Sequence, residues 1–267
     1  MQKHLISIVI NTYNAEKLLA QTLESVKDFD EIVVCDMEST DRTIEIAQSY
    51  GCKIVTFPKG NIKICEPARD FAIHSATNNW VLVIDADEIV PSEMKQYLYD
   101  YIQQPNHKDA LYVHRKNMFL GQWIKASYPD SQLRFMDQTK ATWPPTIHSV
   151  PIINGTVGQM PKDTKYALLH IGTSISGQIL KMDDYTENDL NKRNKKTVSL
   201  AQLIFSPFWR FFRYYIIKGA CFQGKRGFIK ACFSAHGKFY YLAKVYECQI
   251  NQTILRKDEK DIDSRSL

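Results

Sequence analysis

The sequence predicts an α/β fold, in which a mostly parallel sheet is flanked by helices, with a helical, basic extension at its C-terminal end. Two observations predict it. In the first hundred residues, short apolar runs alternate with stretches of helical periodicity, the pattern of βαβ units. Residues 192–246 contain twelve Lys and Arg and no Asp or Glu, which leaves 22 basic and 29 acidic residues elsewhere, a net charge of −7. Such segregation indicates two functional parts.

Four strands and four helices are predicted in the first 104 residues. The predicted strands are Leu5–Ile10, Glu31–Cys35, Lys53–Phe57 and Trp80–Ile84. The predicted helices are Ala15–Val26, a helix that Ser39 or Thr40 caps and Gly51 ends, Glu66–Ala76, and Pro91–Gln104. Because ligands bind at the carboxyl ends of parallel strands, we expect Asn11, Asp36 and Asp85, each just past a strand end, on one edge of the sheet.

The rest of the chain divides by composition. From Asp109 to Ile171, strand-like runs alternate with loops rich in Pro, Trp and Tyr, which are typical of the walls of a binding site. After about Ser176 the pattern is helical, and after Phe205 it is basic and aromatic. We therefore expect a first domain over residues 1–175, with halves at 1–104 and 105–175, a helical extension over 176–250, and a flexible, mostly charged tail over 251–267.

Composition and missing motifs exclude several classes of protein. A hydrophobic share of 44% and a charged share of 24% are those of a globular chain. We expect no secretory signal, because the first apolar run, Leu5–Ile10, is short and leads into polar Asn11 and Thr12. We also find no run of about 18 uncharged apolar residues. The six cysteines include no C-x-x-C pair, so a reducing, cytoplasmic compartment is expected. The absence of G-x-G-x-x-G and of G-x-x-x-x-G-K-[ST] argues against NAD-linked and P-loop chemistry.

A site for a divalent cation is predicted where the fourth strand ends. Asp85-Ala86-Asp87 places two carboxylates two residues apart at the mouth of the sheet, and carboxylate oxygens suit a hard cation such as Mg²⁺ or Mn²⁺. Glu88 lengthens the acidic cluster. The alternative is that these carboxylates only cap the next helix and lie in water.

A second polar cluster follows the second strand. Asp36 can accept hydrogen bonds from a base or a ribose, as the acidic residue of dinucleotide sites does. The alternative is a capping network, in which Ser39, Thr40 and Asp41 bond the start of the next helix.

Taken in order, these motifs resemble the family 2 glycosyltransferases of the GT-A fold. The resemblance rests on four early segments: Ser7–Asn14, Glu31–Asp36, Ser39–Thr43 and Asp85–Glu88. It continues over nearly the whole chain through Pro129-Asp130, Arg134-Phe135, Ile147-His148, Leu169-His170 and the Phe-rich stretch Pro207–Gly227. It is strongest to the branch that adds a β-1,4-linked glucose to the inner core of bacterial lipopolysaccharide or lipooligosaccharide.

The resemblance implies roles at the sheet edge. Thr12, Asn14 and Asp36 would hold a uridine-type nucleoside. Asp85 and Asp87 would hold a divalent metal and the diphosphate.

The resemblance also implies roles for two arginines, and the chain differs from the family at two positions. Arg69 is expected to reach a phosphate, and Arg134 to contact the donor diphosphate, the alternative for Arg134 being an ordinary surface ion pair. The family usually has Asn where this chain has Asp70, and commonly Glu where it has Ser149. These departures weaken the substrate assignment and leave the reaction class intact.

Inverting transfer needs a base near the acceptor hydroxyl, and a carboxylate usually serves. Asp130 is the first choice because it lies among the acceptor-side loops and matches the family's Pro-Asp position; its alternative is a turn residue after Pro129. Glu88 is the competing candidate. His170 is expected to bind the metal and His148 to act on the acceptor side, although a single His is more often a hydrogen-bonded structural residue.

The C-terminal extension is expected to contact a negatively charged surface. Residues 205–246 combine many aromatic side chains with eight Lys and Arg, which suits an anionic membrane or a phosphorylated acceptor. The residues expected to make this contact are Arg210, Arg213, Lys218, Lys225 and Arg226. Two alternatives are open. The aromatic residues form a core with the charges only solvated, or the segment binds nucleic acid, which no motif supports.

The site carboxylates and the resemblance together imply an inverting, metal-dependent transferase that moves a hexose, glucose from UDP-glucose, to a sugar hydroxyl of a lipid-linked glycan such as lipopolysaccharide core. Its expected place is the cytoplasm, peripheral on the inner face of the cytoplasmic membrane. Two rivals are open. A nucleotidyltransferase would have a Gly-rich, basic loop after the first strand, where this chain has Asn11–Asn14. A non-catalytic binding protein would keep the fold without turnover, and Asp85 and Asp87 argue against it.

Overall fold

The chain divides into two compact units. The computed structural model describes residues 5–60, 62, 65–146, 149–172, 174–179, 182 and 197–265, without the side chains of residues 252–265. The first unit comprises Met1–Met118 and Ser127–Gly172, and the second comprises Phe119–Ala126 and Thr173–Leu267. The division after Gly172 lies close to the boundary predicted after residue 175. The membership of Phe119–Ala126 in the second unit was not predicted.

Strands and helices alternate through the first unit, as predicted, and helices dominate the second. The strands are β1 (Ile6–Thr12), β2 (Glu31–Asp36), β3 (Lys53–Thr56), β4 (Trp80–Asp85), β5 (Glu88–Ile89), β6 (Ala110–Phe119), β7 (Gln122–Trp123), β8 (Asp130–Asp137), β9 (Ala141–Thr142), β10 (Ile152–Ile153), β11 (Val157–Gln159) and β12 (Leu168–His170). The helices are α1 (Leu19–Val26), α2 (Thr43–Ser49), α3 (Glu66–His74), α4 (Ser92–Ile102), α5 (Leu200–Phe212) and α6 (Gly224–Arg265).

The first unit is built on a mixed, mostly parallel sheet with the strand order β3-β2-β1-β4-β8-β6-β12-β5, in which β11 also pairs with β6. Strands β1 to β4 pair in parallel, and β8 lies antiparallel between β4 and β6. A separate antiparallel pair is formed by β9 and β10. The predicted α/β class with a mostly parallel sheet is confirmed.

Alternate residues of the central strand enter two apolar cores. Ile8 and Ile10 of β1 pack with Leu23 of α1 and Leu98 of α4. Val9, between them, belongs to the core on the other face, together with residues of α3. A slip of one residue would exchange the two faces, so burial on both sides fixes the register of β1. The carboxyl ends of β1, β2 and β4 are thereby held at one edge.

Two helices begin later than predicted. α1 begins at Leu19 rather than at Ala15, because residues 15–18 include a turn and do not continue the helix. α2 begins at Thr43. Apolar spacing identified both helices, but it does not distinguish a turn from the first turn of a helix.

The second unit pairs α5 with α6. α5 begins with a capping box, in which Ser199 Oγ accepts from the Gln202 amide at 3.2 Å and the Gln202 side chain accepts from the Ser199 amide at 3.1 Å. Gly219, with a φ of 71°, permits the turn between the helices. The core of the unit consists of Phe119, Ile124, Ala126 and Ala220, with Tyr214, Tyr215, Ile229 and Phe233 packed against it. These contacts explain why Phe119–Ala126 belongs with the C-terminal helices.

The last helix extends beyond its predicted end. α6 runs to Arg265, through residues for which we expected a flexible tail from 251 onward. That segment is charged and polar, but Arg, Lys, Glu and Gln are strong helix formers, so polarity alone did not mark a helix end. No helix among the described residues has the length and the apolarity of a membrane span.

Two glycines of α6 offer a matched test of this packing. A Cβ atom on Gly227 would lie 1.9 Å from the carbonyl oxygen of Ala220, whereas one on Gly237 would meet the flexible end of Met182 at 3.3 Å. Since Ala favours a helix over Gly by about 1 kcal/mol, we expect Gly237→Ala to maintain or raise the free energy of unfolding. We expect Gly227→Ala to lower it by about 2 kcal/mol, because the backbone must move. Thermal unfolding followed by circular dichroism measures both, and equal effects would contradict the contact.

Candidate functional site

The carboxyl ends of β1, β2 and β4 bring the predicted polar residues to one edge of the sheet in the first unit. Asn11 is the register partner of Asp85, and Thr12 is that of Asp36. The strands extend slightly further than predicted, so these residues lie within them. Both polar atoms of the Asn11 side chain are buried without a hydrogen-bond partner among the described residues. The side-chain amide of Asn11 therefore has unused hydrogen-bonding capacity beside Asp85.

Thr12, Asn14 and Asp36 form one hydrogen-bonded network with Ser39 and Thr40. Thr12 Oγ1 and Ser39 Oγ donate to Asp36 Oδ1 at 2.8 and 2.6 Å. The backbone N–H of Asn14 donates to Ser39 Oγ at 2.8 Å, and the side-chain oxygen of Asn14, Oδ1, accepts from the backbone N–H of Thr40 at 2.8 Å. The prediction that Ser39 or Thr40 caps α2 is therefore wrong, because both are engaged here. The network fixes a buried carboxylate and an exposed amide side by side.

The start of α2 is bonded by a different residue. Asp41 Oδ1 accepts from the Thr43 amide at 3.0 Å. Of the three residues predicted to cap α2, Asp41 is the one that bonds the start of the helix. Ser39 and Thr40 belong to the Asp36 network instead.

Asp85 lies among three arginines. Its Oδ1 accepts from Arg69 Nη2 at 2.7 Å, and its Oδ2 accepts from Arg134 Nη2 at 2.9 Å. Arg115 Nη1 lies 3.7 Å from Asp85 Oδ2. Arg69 and Arg134 are buried, so the alternative that Arg134 forms an ordinary surface ion pair is wrong.

Asp85 and Glu88 respond differently to the same surroundings. Burial raises the pKa of Asp85, but the charges of Arg134 and Arg69 outweigh it and hold that pKa well below its usual range. Burial, and then the charge of Asp85, raise the pKa of Glu88. Glu88 Oε2 accepts from the Asp85 amide at 2.8 Å and its Oε1 accepts from Arg115 Nη1 at 3.0 Å. Because its side chain is fully buried and both oxygens are engaged, Glu88 is poorly placed to serve as the base.

Asp130 begins β8 and is held by neighbouring side chains rather than standing in a turn. Its Oδ2 accepts from Arg115 Nη2 at 2.7 Å and from Asn117 Nδ2 at 3.0 Å, and its Oδ1 accepts from Gln132 Nε2 at 3.0 Å. Burial raises the pKa of Asp130, but the charge of Arg115 and the hydrogen bonds of Asn117 and Gln132 lower it below its usual value. Asp130 is therefore ionised at neutral pH, and Oδ1 can accept a further hydrogen bond.

A chain of hydrogen bonds determines which nitrogen of His170 has the proton in the neutral form of the ring. The carboxylate of Asp130 can only accept a hydrogen bond, so the side-chain nitrogen of Asn117, and not its oxygen, must face Asp130. Asn117 Oδ1 then accepts from His170 Nδ1 at 2.7 Å, which places the ring proton on Nδ1. In that form, His170 Nε2 presents a lone pair 3.3 Å from Asp87 Oδ2, and in the protonated form Nε2 donates to the same oxygen.

Asp87 and His170 are the pair that fits a cation. Two electron-pair donors at 3.3 Å repel each other unless a positive charge lies between them or the ring is protonated. Metal–ligand distances of roughly 2.0–2.2 Å allow one divalent cation to contact both. Across the described residues, no three His, Cys, Asp or Glu side chains are grouped for metal binding. The predicted set of Asp85, Asp87 and His170 is thus not assembled, because the arginines already neutralise Asp85.

Arg69 and Trp143 add two buried donors. The guanidinium of Arg69 lies over the Trp143 ring at 4.9 Å. Arg69 Nη1 and Trp143 Nε1 are buried without a hydrogen-bond partner among the described residues. Asp70 Oδ1 accepts from the Trp143 amide at 2.6 Å and so holds the segment that carries the indole. Unpaired N–H groups of this kind suit an anionic ligand, and the expectation that Arg69 reaches a phosphate stays a prediction.

Arg115, Asn117, Gln132 and Trp143 were missed by sequence reasoning. Arg115 and Asn117 lie two residues apart on β6 and therefore face the same side of the sheet. That spacing was visible in the sequence. Their partners were not, because the pairing of β6 with β8 and β12 joins segments that lack a regular pattern.

The remaining predicted residues lie elsewhere. His148 is outside the described residues. In the second unit, Arg210 Nε donates to Ser234 Oγ at 3.1 Å, and Arg226 Nε donates to the Leu120 carbonyl at 2.9 Å. Arg226 thus has a structural contact within its own unit. The exposed members of the predicted basic group also include Arg213, Lys218 and Lys225.

Comparison with known proteins relates the chain to transferases. The family model "Glycosyl transferase family 2" matches residues 7–155. An uncharacterized glycosyltransferase of Rickettsia conorii is 28% identical over 274 residues, which cover 96% of this chain and 95% of the relative. The lipopolysaccharide core biosynthesis glycosyltransferase LpsC of Rhizobium meliloti is 27% identical over 252 residues, which cover 91% and 92% of the two chains.

A solved structure shares the fold. The mannosyltransferase PcManGT from Pyrobaculum calidifontis, in complex with GDP-Man and Mn²⁺, aligns with a TM-score of 0.56 at 13% identity. The alignment covers 92% of this chain and 88% of that chain. The predicted GT-A-like architecture is confirmed.

Arg115 provides a test of the ion cluster. We expect Arg115→Met to lower the free energy of unfolding by about 3 kcal/mol, because it leaves Glu88 and Asp130 without their shared cation. Adding Glu88→Gln should restore part of the loss, since the fully buried charge is then removed. Urea denaturation measures both variants.

The matched control is Arg42→Met, which breaks an exposed ion pair with Glu45 at 3.4 Å. We expect it to change the free energy of unfolding by less than about 0.5 kcal/mol. Equal losses for the Arg115 and Arg42 variants would contradict the cluster.

Proposed function

The chain belongs to glycosyl transferase family 2, and from that membership we propose that it transfers a hexose, glucose from UDP-glucose, to a sugar hydroxyl of a lipid-linked cell-surface glycan, with inversion at the anomeric carbon. One observation carries the proposal. The Asp36 network, the arginines around Asp85 and the Asp87–His170 pair all lie at one edge of one sheet. A nucleoside, a diphosphate and a divalent cation need these three kinds of groups close together.

The Asp36 network would hold the nucleoside. Thr12 and Ser39 orient Asp36, which keeps acceptor capacity for an N–H or a hydroxyl. Asn14 is fixed in a left-handed conformation with a φ of 49° and is exposed at the same place. Tyr13 is also exposed, and its ring offers a stacking surface for a base.

The charge balance of the cluster supports a requirement for a divalent cation. The ionised cluster has equal numbers of opposite charges: Arg69, Arg115 and Arg134 against Asp85, Glu88 and Asp130. A diphosphate therefore finds no surplus of positive charge there. Asp87 and His170 would hold Mg²⁺ or Mn²⁺ beside it. When bound, such a cation supplies positive charge to the diphosphate as it leaves.

Asp130 is the proposed base. Inversion requires the acceptor hydroxyl to attack the anomeric carbon from the side opposite the leaving diphosphate, while a base takes its proton. Asp130 is ionised, a quarter exposed, and has acceptor capacity on Oδ1. Arg115 and Asn117 hold its other oxygen in place. The same donors keep its basicity low, so the hydroxyl proton moves to Asp130 only as the new glycosidic bond forms.

The acceptor is proposed to be a lipid-linked glycan such as the core of lipopolysaccharide. The similarity to LpsC over nearly the whole length of both chains supports this substrate class. The basic segment from 192 to 246 supports a position at the inner face of the cytoplasmic membrane, where phosphorylated or lipid-linked acceptors are negatively charged.

Donor hydrolysis tests the proposed function without knowledge of the acceptor. We expect slow, Mn²⁺- or Mg²⁺-dependent release of UDP from UDP-glucose, and less release from UDP-galactose, UDP-N-acetylglucosamine and GDP-mannose. Asp87→Asn should lower the rate by about 100-fold or more, because it removes a charged ligand. Asp163→Asn, at an exposed ion pair with Lys165, is the control and should retain the wild-type rate.

Other results would favour the rivals. Metal-dependent binding of UDP without hydrolysis of any donor would identify a binding protein. Release of pyrophosphate from UTP with a sugar phosphate would identify a nucleotidyltransferase.

Variants of Asn117 and Gln132 distinguish an effect on the proposed metal site from an effect on the proposed base. Both residues donate to Asp130, but of the two it is Asn117 that also bonds His170. We expect Asn117→Leu to weaken Mn²⁺ binding in the presence of UDP by about 10- to 100-fold, because the ring of His170 loses the acceptor that orients it. Gln132→Leu should leave Mn²⁺ binding unchanged. Calorimetric titration with Mn²⁺ measures both, and equal affinities would show that His170 is not a ligand.

A further inference from the structure

Helix α5 and the π-helical turn Arg213–Ile217 that follows it are apolar on two opposite sides. The inner side packs within the second unit. Phe211 and Tyr215 each meet the ring of Phe228 edge-on, with centroids 5.7 Å apart. Tyr214 and Tyr215 also contact the core of the unit. This side is the apolar stripe by which a helix ordinarily joins a core.

The outer side is not covered by any part of the unit that the structure describes. It has large apolar side chains that recur every three or four residues and are 47–70% exposed: Phe205, Phe208, Trp209, Phe212 and Ile216. We call these five residues the outer face. Trp209 and Phe212 stack at 5.9 Å, so the face is one continuous surface. A contiguous exposed apolar surface of this kind marks an interaction site.

The charged residues of the segment 200–218, all of which the structure describes, are positive. Arg210 and Arg213 lie on the same helical segment, and exposed Lys218 follows it. No Asp or Glu occurs between residues 192 and 246. The surface therefore fits a partner that is apolar within and negatively charged outside, which is the chemistry of an anionic lipid bilayer.

The length of α5 and its positive charge limit how the outer face can be covered. Thirteen residues span about 20 Å, less than the roughly 30 Å of a bilayer core, so α5 fits in the plane of the interface. A second copy of the chain seated face to face would bring Arg210 and Arg213 against the same arginines. Lipid headgroups would neutralise them instead.

We propose that the outer face inserts into the interfacial layer of an anionic membrane, with α5 parallel to the surface. The proposal rests on the proposed function, because a lipid-linked acceptor is found at that surface. It adds that apolar insertion, and not attraction between charges alone, holds the chain there. Binding by insertion persists at high salt, whereas binding by charge alone is screened.

Vesicle flotation of the full chain tests the insertion. The vesicles contain phosphatidylethanolamine and phosphatidylglycerol at 3:1, with phosphatidylcholine vesicles as the neutral comparison, at 0.1 and 0.5 M NaCl. We expect binding to the anionic vesicles that is partly retained at 0.5 M NaCl. The double variant Phe208→Ser/Trp209→Ser should reduce the partition coefficient by about tenfold or more.

A matched pair of single variants isolates the outer face. Phe212 and Phe239 are almost equally exposed, at 47% and 46%, but Phe239 lies on α6. Phe212→Ser should weaken vesicle binding and Phe239→Ser should not, with thermal unfolding as the check that both fold. Brominated lipids should quench the fluorescence of the wild-type chain more than that of Trp209→Phe.

Four outcomes would overturn the proposal: no binding to anionic vesicles, equal binding by the Phe212 and Phe239 variants, complete loss of binding at 0.5 M NaCl, or a dimer in sedimentation that the double variant dissociates. Donor hydrolysis by the wild-type chain without vesicle binding would overturn the insertion and leave the proposed function standing. Vesicle binding without donor hydrolysis would support the insertion and contradict the proposed function.

Discussion

The geometry of the candidate site depends on one partly buried carboxylate, Asp85, and the guanidinium groups around it. Arg69 comes from α3, Arg115 from β6 and Arg134 from β8, so a single side chain on β4 ties four elements together at the sheet edge. Charges removed from water are stable only when each has a partner of opposite sign and its hydrogen-bonding groups are used. Each charge of the cluster has a partner of opposite sign, because Glu88 and Asp130 share Arg115 with Asp85. Arg69 Nη1 is left without a hydrogen-bond partner among the described residues. Position and electrostatics are therefore fixed by the same contacts.

One consequence is that neighbouring carboxylates, alike in the sequence, have different chemistry. Asp85 is neutralised by arginines, Glu88 is fully buried between a backbone amide and Arg115, and Asp87 faces His170. Only Asp87 is left with an oxygen that a cation could share. His170, which lies next to Asp87, is hydrogen-bonded to Asn117, and Asn117 is hydrogen-bonded to Asp130, the proposed base. The proposed metal site and the proposed base are thus both positioned by the side-chain amide of Asn117.

The sequence was sufficient for the edge of the sheet and insufficient for the side chains that meet there. Burial on two faces makes β1, β2 and β4 read as apolar runs, so Asn11, Asp36 and Asp85 could be placed at their ends from the pattern alone. The role of Asp85 depends on Arg115, and Arg115 depends on the pairing of β6 with β8 and β12, which no short-range pattern encodes. Ser39 is a similar case, since its hydroxyl suits a helix cap and an Asp36 contact equally. Long-range strand pairing decided the first case, and a contact between residues three apart decided the second.

The distribution of charge over the chain assigns two kinds of recognition to its parts. Outside residues 192–246 the net charge is −7, so no broad positive field attracts a nucleotide to the sheet edge. In the proposed function, recognition of a diphosphate is therefore local, through a few arginines whose charge is already balanced and through the proposed cation at Asp87 and His170. The basic segment has twelve positive charges that no acidic residue within it offsets, which suits an extended negative surface rather than one small ligand.

The aromatic side chains of the outer face lie within that segment, and burying them in a core would require the basic residues beside them to leave water as well. A membrane interface buries the apolar side chains and leaves the charges solvated beside lipid phosphates. The same sequence feature that is unfavourable for a soluble core is therefore favourable at a lipid surface.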